Sequence, residues 1–311
     1  MLREGSRGVC KVRAVQHGEL KTLVYNRAAS LAADPIEKKP LFHFHPSSRV
    51  LSLGTAGCNA RCLFCQNWEL SQARPESLPA QELTPSALVR MAHAQQCGGI
   101  AFTYSEPTIF AEYAIDVADA AHAAGLFTTA ISNGLIEARA LGTLYGCMDA
   151  VKVDLKAFSE GFYRKLVGLR LQPVLDTLIA LKELGKWIEI VTLLIPSLND
   201  DEAELHAMCA WIHQHLGADV PLHFSRFHPG YQLDQIAPTP VATLETARRI
   251  AHEEGLHYVY IGNLAGHAAQ KTLCPHCSAL LVDRSGFTAQ LVNLHSGSCA
   301  ACGTTIAGIW Q

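Results

Sequence analysis

The sequence predicts an α/β protein whose core is a parallel β-sheet curled into a partial or full β/α barrel. From residue 48 to about 263, short apolar segments alternate with helical patterns. The apolar segments are nearly continuous, which is typical of parallel strands covered on both faces. A repeated strand-then-helix order requires right-handed crossovers and therefore a parallel sheet. Seven strands are expected, at residues 49–54, 99–104, 127–132, 150–155, 187–195, 222–227 and 257–261.

Helix start and stop signals separate these strands. Thr84 and Pro85 supply an N-cap and a first-turn proline, which favour a helix beginning at this point. Gly125 and Gly255 follow helical patterns, where a glycine commonly ends a helix. Five helices are expected, at residues 84–97, 107–124, 172–185, 203–216 and 243–254.

The two ends of the chain do not follow this alternation. Near the start, apolar segments on both sides of His17 and Gly18 predict a hairpin, followed by irregular chain. Beyond Lys271 the helical pattern stops, and two Cys-x-x-Cys pairs lie among small residues. We therefore expect three parts: an N-terminal extension with a hairpin, the barrel core and a small zinc-ribbon-like module, at residues 1–47, 48–265 and 266–311.

Composition excludes several classes of protein. With 311 residues, 49% hydrophobic, 17% charged and a net charge of -3, the chain is not predicted to be disordered. The longest apolar run, residues 191–195, is far shorter than the roughly 18 residues of a membrane span. The first residues lack the apolar segment of a signal peptide, so a cytoplasmic protein is expected. Because no basic stripe stands out, we expect neither nucleic acid nor membrane as a partner.

Cysteine content is the most informative part of the composition. The chain has 11 cysteines, and an odd number without an export signal favours metal binding or chemistry over disulfides. Seven of them form two clusters. The other four are expected to be small buried apolar residues: Cys10, Cys97, Cys147 and Cys209. His43 and His45 are likewise interpreted as packed or exposed residues rather than metal ligands.

The first cluster, Cys58-x-x-x-Cys62-x-x-Cys65, directly follows the first predicted strand. Three thiolates at this spacing can surround one metal cluster. An iron–sulfur cube normally takes four cysteines, so a cube with three keeps one iron open to another ligand. The alternative is a zinc knuckle. The position at the carboxyl end of a barrel strand, where barrel active sites lie, favours catalysis.

This loop resembles the CxxxCxΦC signature of the radical S-adenosylmethionine (SAM) enzymes, with Phe64 at the aromatic position. The resemblance implies a barrel of the radical SAM type and a [4Fe-4S] cluster held by Cys58, Cys62 and Cys65. It further implies that the open iron binds SAM, and that one electron cleaves SAM to a 5′-deoxyadenosyl radical that abstracts hydrogen from the substrate. The protein supplies binding and orientation.

The resemblance extends to Glu106, at the end of the second predicted strand. The family commonly carries a Gly-Gly-Glu-Pro type motif there, which holds the amino group of SAM. In this chain Tyr104 and Ser105 replace the two glycines. The alternative interpretation of Glu106 is an acidic residue at a helix N-terminus, where the helix dipole favours it.

Polar residues also end the third, fourth and sixth predicted strands. Ser132 and Asn133 resemble residues that similar enzymes use on the SAM ribose or carboxylate, but a turn before a helix explains them equally. Alternation along a strand places Asp154 and Lys156 on one face. They resemble the Asp-x-Lys that activating enzymes carry near the methionine end of SAM. The alternative is a salt bridge between the two side chains. His228 is expected to face cofactor or substrate.

The second cluster consists of two knuckles separated by 21 residues, Cys274-x-x-Cys277 and Cys299-x-x-Cys302. Four thiolates close a tetrahedral shell, which predicts a structural zinc site. A second iron–sulfur cluster and a redox dithiol are the alternatives. A hairpin over residues 280–294 is expected to span the gap, and metal binding would supply folding free energy to so small a module.

Together, these motifs resemble the AmmeMemoRadiSam-system radical SAM enzymes, relatives of the pyruvate formate-lyase activating enzymes. The first hypothesis is a radical SAM enzyme with an unidentified protein or small-molecule substrate and an electron donor of flavodoxin or ferredoxin type. The second is a glycyl-radical activase that acts on a protein glycine; it needs an open barrel mouth, which the four-Cys tail would obstruct or reshape. The third is a non-catalytic metal-binding interaction protein.

Overall fold

The computed structural model describes residues 3–310 and shows a mixed α/β fold. In chain order the strands are β1 Arg13–Gln16, β2 Glu19–Thr22, β3 Arg27–Ala28, β4 Ser30–Pro35, β5 Arg49–Gly54, β6 Gln81–Glu82, β7 Gly99–Phe102, β8 Phe127–Ser132, β9 Ala150–Asp154, β10 Trp187–Leu194, β11 Leu222–Arg226, β12 Val259–Gly262, β13 Thr272–Leu273, β14 Leu280–Ser285, β15 Thr288–Leu291, β16 Leu294–His295 and β17 Ser298–Cys299. The helices are α1 Trp68–Ser71, α2 Pro85–Ala94, α3 Ala111–Ala123, α4 Ala138–Gly146, α5 Glu160–Phe162, α6 Gln172–Glu183, α7 Glu202–Leu216 and α8 Val241–Glu253.

An eight-stranded sheet forms the core, in the order β12-β11-β10-β9-β8-β7-β5-β4. Seven of its strands are parallel, and they are the seven that the sequence predicts. Within residues 3–310, the edge strands β4 and β12 are not paired with each other. The sheet is therefore open, which selects the partial barrel from the two expected forms.

Strand β4 corrects the expectation of irregular chain after the N-terminal hairpin. Ser30–Pro35 pairs antiparallel with β5 over six residues, from Ser30 opposite Gly54 to Pro35 opposite Arg49. The segment lacks the β-branched residues typical of strands. It becomes a strand because β5 offers a free edge, and strand pairing then satisfies the backbone groups of both. The hairpin itself is confirmed as β1 and β2.

The five predicted helices are confirmed, and α1, α4 and α5 are additions. Thr84 Oγ1 accepts a hydrogen bond from Ala87 N at 3.3 Å, which is the expected N-cap of α2. The helix expected from residue 107 begins as a 3-10 turn, Pro107–Phe110, and continues as α3. Among the described residues, no helix is long and apolar enough to cross a lipid bilayer.

The C-terminal residues form a small β module that packs against the start of the barrel strands. Strands β13–β15 form one sheet, and β16 and β17 pair separately. The module shares a hydrophobic core with Phe42, Tyr258 and Tyr260, and Tyr258 directly precedes β12. The module therefore lies at the amino ends of the parallel strands. The expectation that it obstructs the mouth at their carboxyl ends is wrong.

A buried carboxylate joins the N-terminal segment to the barrel beneath this module. Glu189 of β10 is fully buried and accepts hydrogen bonds from Phe42 N at 2.9 Å and His43 N at 2.8 Å. His223 Nε2 lies 2.7 Å from the second carboxylate oxygen. Arg284 of the module donates to Phe42 O at 2.6 Å. His43 is thus a packed residue, as expected. The three-part division into residues 1–47, 48–265 and 266–311 stays a prediction.

Close packing of β7 against β8 gives a test of the sheet. A Cβ at Gly99 would lie 2.3 Å from the Phe127 ring and 2.5 Å from Phe127 O. We expect Gly99→Ala to lower the free energy of unfolding by about 1–3 kcal/mol, because the strands must move apart. Gly142→Ala, in α4 with open space around it, is the matched control and should raise stability by about 0.5–1 kcal/mol. Anaerobic urea unfolding followed by circular dichroism measures both; equal effects would contradict this packing.

Candidate active site

The three-cysteine loop lies at the carboxyl end of β5 and folds tightly onto its surroundings. Gly57 has φ +90°, and a Cβ there would lie 2.3 Å from Cys10 O. A Cβ at Gly54 would lie 2.8 Å from Thr103 O at the end of β7. Glycine is needed at both positions because the backbones approach closely. These contacts place the cysteines beside the ends of the central strands.

The three thiols are largely enclosed and have few polar neighbours. Cys62 is 8% exposed. Cys58 Sγ accepts a hydrogen bond from Ala60 N at 3.4 Å, and Cys65 Sγ lies 3.2 Å from Ser71 Oγ. Burial raises the pKa of Cys62 to about 11. Ionised thiolates therefore need a positive centre at this site, which a bound metal cluster supplies.

The second cysteine cluster brings its ligand atoms close together. In the described part of the chain, the Sγ atoms of Cys274, Cys277, Cys299 and Cys302 all lie within 4.8 Å of one another.

A cavity of about 370 Å³ opens beside the loop. It brings together eight of the residues that the sequence singles out: Cys58, Cys62, Phe64, Cys65, Glu106, Asn133, Asp154 and Lys156. Two others do not line it. Ser132 lies just behind the wall, fully buried, and His228 is exposed to solvent. Ser225, from the end of β11, lines the cavity on that side, and so does Asn263, which follows the seventh predicted strand and is also expected at the rim.

The position of Glu106 is compatible with both roles that the sequence leaves open. Its Oε1 accepts hydrogen bonds from Thr108 N at 3.2 Å and from Ser132 Oγ at 2.8 Å, and its Oε2 accepts from Asn133 N at 2.8 Å. It caps the 3-10 turn and also faces the cavity. Burial outweighs these hydrogen bonds and raises the pKa of Glu106. Ser132 therefore supports Glu106 through a hydrogen bond.

Asn133 connects the end of β8 to the cysteine loop. Its Nδ2 donates to Asn59 Oδ1 at 2.7 Å and lies 3.9 Å from Cys58 Sγ. Its Oδ1 accepts from Leu135 N at 2.9 Å. The side chain therefore orders both the turn after β8 and the backbone next to the first cysteine.

Asp154 lies between two lysines at the end of β9. Lys156 Nζ is 3.3 Å from Asp154 Oδ2, and Lys152 Nζ donates to Asp154 Oδ1. Burial by itself would lower the pKa of Lys156, but the Asp154 charge and the neighbouring thiols outweigh burial and raise this pKa. Lys156 Nζ also lies 5.8 Å from the centre of the Phe64 ring. The Asp-x-Lys pair is a salt bridge that directs one ammonium group toward the cysteine loop.

Sequence reasoning missed several residues of the cavity. Tyr104 has φ +66°, unusual for a non-glycine residue, and its hydroxyl donates to Asp34 Oδ2 at 2.7 Å. Ser105 Oγ is buried, faces the cavity region and has no hydrogen-bond partner. Tyr104 and Ser105 stand where the family commonly has glycines, and this difference is the sequence signal that could have identified them as cavity residues. Lys38 and Lys39 also line the cavity, and no local motif marks them.

The four tail cysteines converge as predicted. Cys274 Sγ and Cys302 Sγ are 3.6 Å apart, and Cys277 Sγ and Cys299 Sγ are 3.7 Å apart. The two knuckles have the same backbone hydrogen bond, from Ser278 N to Cys274 O at 2.9 Å and from Gly303 N to Cys299 O at 2.8 Å. This cluster can bind a metal ion.

Comparison with known proteins agrees with this site. A family model described as the Radical SAM superfamily matches residues 52–209, from β5 into α7. The chain belongs to the radical SAM superfamily. The superfamily implies a [4Fe-4S] cluster and SAM, and the three-cysteine loop and its cavity fit both. An uncharacterized protein of Methanocaldococcus jannaschii is 45% identical over 308 residues, which cover 98% of this chain and 92% of that protein.

More distant relatives include activating enzymes. The benzylsuccinate synthase activating enzyme of Thauera aromatica is 24% identical, over 56% of each chain. The pyruvate formate-lyase-activating enzyme of Listeria monocytogenes is 27% identical, over 48% of this chain and 63% of that one. Among solved structures, a radical SAM methyltransferase from Sphaerobacter thermophilus aligns with a TM-score of 0.55 at 15% identity, covering 76% of this chain and 71% of that chain. That likeness shows the fold alone.

Separate cysteine clusters predict separate metals. We expect Cys62→Ser to remove most of the iron and leave the tail metal in place, because the two sites share no ligand. Cys302→Ser should show the reverse. Metal analysis of anaerobically prepared protein measures both. Loss of both metals in either variant, with circular dichroism unchanged, would contradict the two-site assignment.

Proposed function

We propose that the protein is a radical SAM enzyme of the AmmeMemoRadiSam type that abstracts a hydrogen atom from a substrate. When bound, the [4Fe-4S] cluster supplies one electron to SAM, whose C5′–S bond breaks to give methionine and a 5′-deoxyadenosyl radical. The observation that carries the proposal is one cavity shared by the three cysteines, Glu106 and Lys156. A chain that had lost the activity would not be expected to keep all of these groups together.

The residues of the cavity suit a zwitterionic cofactor. Lys156 carries a positive charge next to the thiols, which favours the SAM carboxylate. Glu106 offers a buried carboxylate to the amino group, although its lone pairs are partly used by Ser132 and Asn133. The unpartnered hydroxyl of Ser105 supplies one more polar contact where the family commonly has glycine. Burial of these groups keeps water from the reacting atoms.

Zinc is the ion that we propose for the tail. Four sulfurs around one tetrahedral ion with Zn–S bonds of about 2.3 Å lie about 3.8 Å apart. The separations of 3.6 and 3.7 Å agree with this value. A four-iron cube would need wider spacing, because each of its cysteine ligands binds a different iron atom. With no open position, such an ion stabilises the module and does not react.

A glycyl-radical activase is the second candidate function. The activating enzymes of Thauera and Listeria are among the relatives, and each match covers about half of this chain. An activase needs an open barrel mouth. The tail lies at the amino ends of the strands and therefore does not cover the mouth at their carboxyl ends. An electron donor of flavodoxin or ferredoxin type is proposed for either function.

Electron paramagnetic resonance of the anaerobically reconstituted, reduced protein tests the proposal. A signal that changes shape when SAM is added, together with formation of 5′-deoxyadenosine, is the expected result. A reducible cluster that does not respond to SAM would favour electron transfer instead. Zinc in both cysteine sites and no cluster would favour the non-catalytic metal-binding protein.

Lys156 provides the residue-level test of SAM binding. Lys156→Met should weaken SAM binding roughly 10- to 100-fold, as expected when a charge-assisted hydrogen bond is lost. Lys165→Met makes the same change of charge at an exposed position after β9 and should bind SAM normally. The SAM-dependent change in the resonance signal measures both affinities. Equal affinities in the two variants would show that Lys156 does not bind SAM.

A further inference from the structure

We propose that the substrate carries an anionic group, a carboxylate or a phosphate, which Lys39 and Lys152 bind at the inner end of the cavity. The inference rests on the proposed function and adds a substrate class to it. The inner end is the part of the cavity wall that Lys39, from the N-terminal segment, and Lys152 of β9 form.

Strand register places Asp34, the partner of Lys39, inside the barrel. Asp34 pairs with Val50 of β5, four residues before Gly54, where the strand ends. At about 3.3 Å per residue, this backbone position is roughly 13 Å along the strand from the start of the cysteine loop. Lys152 lies on β9, two residues before Asp154, and both lysines line the same cavity as the cysteines. The cavity therefore reaches from the cysteine loop to ammonium groups that Asp34 and Asp154 hold.

Two Lys–Asp–Lys groups give this cavity an excess of positive charge. Asp34 bridges Lys38 at 2.9 Å and Lys39 at 2.7 Å. Asp154 likewise bridges Lys152 and Lys156. Each group has two ammonium ions for one carboxylate. Glu106 adds a third carboxylate to the cavity, so four lysines face three carboxylates and one positive charge is left unbalanced.

The inner ammonium groups are buried and have spare hydrogen-bonding capacity. The side chains of Lys39 and Lys152 are 3% and 6% exposed. Each donates one hydrogen bond within the described residues, to Asp34 and Asp154 respectively, whereas an ammonium group has three donors. Burying such a group without enough counter-charge is costly. Burial accordingly lowers the pKa of both lysines. A bound anion would supply both the acceptors and the charge.

The remaining walls suit a small organic molecule. Val191 and Leu193 of β10 and Ile131 of β8 contribute apolar surface, and the Tyr104 ring lies 5.2 Å from Lys39 Nζ. Ser225 adds one hydroxyl. A few charged groups among apolar walls are typical of small-molecule sites. This arrangement favours a small anionic substrate over a glycine in a protein loop.

Calorimetric titration of the reconstituted protein with SAM bound tests the inference. The probes are inorganic phosphate and malonate, with uncharged malonamide as the matched ligand. We expect one or both anions to bind and malonamide not to bind; the stronger anion indicates which acid the substrate carries. Lys39→Met and Lys152→Met should weaken anion binding roughly 10- to 100-fold. Lys39→Arg, which keeps the charge, should restore most of it.

Lys21→Met is the control variant, because Lys21 is exposed in the N-terminal hairpin and should leave anion binding unchanged. Iron content and circular dichroism confirm that each variant is folded and loaded. Anion binding that is absent in the wild type, or unaffected by either lysine change, would overturn the inference. Lower SAM affinity in both variants, with no anion binding, would assign the lysines to SAM.

Failure of the inference and failure of the proposed function give different results. If the wild-type protein forms 5′-deoxyadenosine but binds neither anion, the radical SAM function stands and the anionic substrate class is wrong. If it forms no 5′-deoxyadenosine and SAM leaves the resonance signal unchanged, the proposed function itself fails.

Discussion

Burial of charge inside the open barrel is the constraint on which the rest of the structure depends. Among the described residues, four carboxylates within it or at its ends show this, because each has partners that stabilise its charge: Asp34, Glu106, Asp154 and Glu189. An unpaired buried charge costs several kcal/mol. The elements that surround the sheet are therefore arranged so that their polar groups reach these acids.

Glu189 shows how this constraint organises the ends of the chain. Backbone N–H groups of Phe42 and His43 satisfy its carboxylate, so the segment after β4 must lie across the amino ends of the strands. Arg284 then fixes the C-terminal module to that segment through Phe42 O. These contacts join the module that carries the four tail cysteines to the barrel.

At the carboxyl ends of the strands, the same need to stabilise buried charges also positions the groups of the candidate active site. Asp154 stabilises two lysines, and Glu106 takes hydrogen bonds from three strand-end or turn residues, Thr108, Ser132 and Asn133. The charges are thus held in place before any ligand arrives. Preorganised charges of this kind cost no rearrangement when a charged cofactor or substrate binds.

Much of the fold was predictable because its signals are local. Seven parallel strands have continuous apolar runs, and Thr84 and Gly255 mark helix ends by their own chemistry. Helix α4 was missed because Gly142 and Gly146 weaken its pattern, and packing of Leu144 and Tyr145 compensates. Strand β4 was missed because its pairing partner, rather than its own sequence, makes it a strand.

The candidate site likewise has parts that the sequence indicated and parts that only the tertiary structure showed. The sequence by itself indicated the candidate ligands of both cysteine clusters, since metal ligands of this kind come in short, fixed spacings. Its resemblance to the radical SAM enzymes also indicated Glu106, Asp154 and Lys156, which lie where parallel strands end at a common edge. Only the tertiary structure decided that the tail lies at the other end, that His228 is exposed, and that Lys39 joins Lys152 in one cavity. Those contacts join residues far apart in the chain, and no local spacing encodes them.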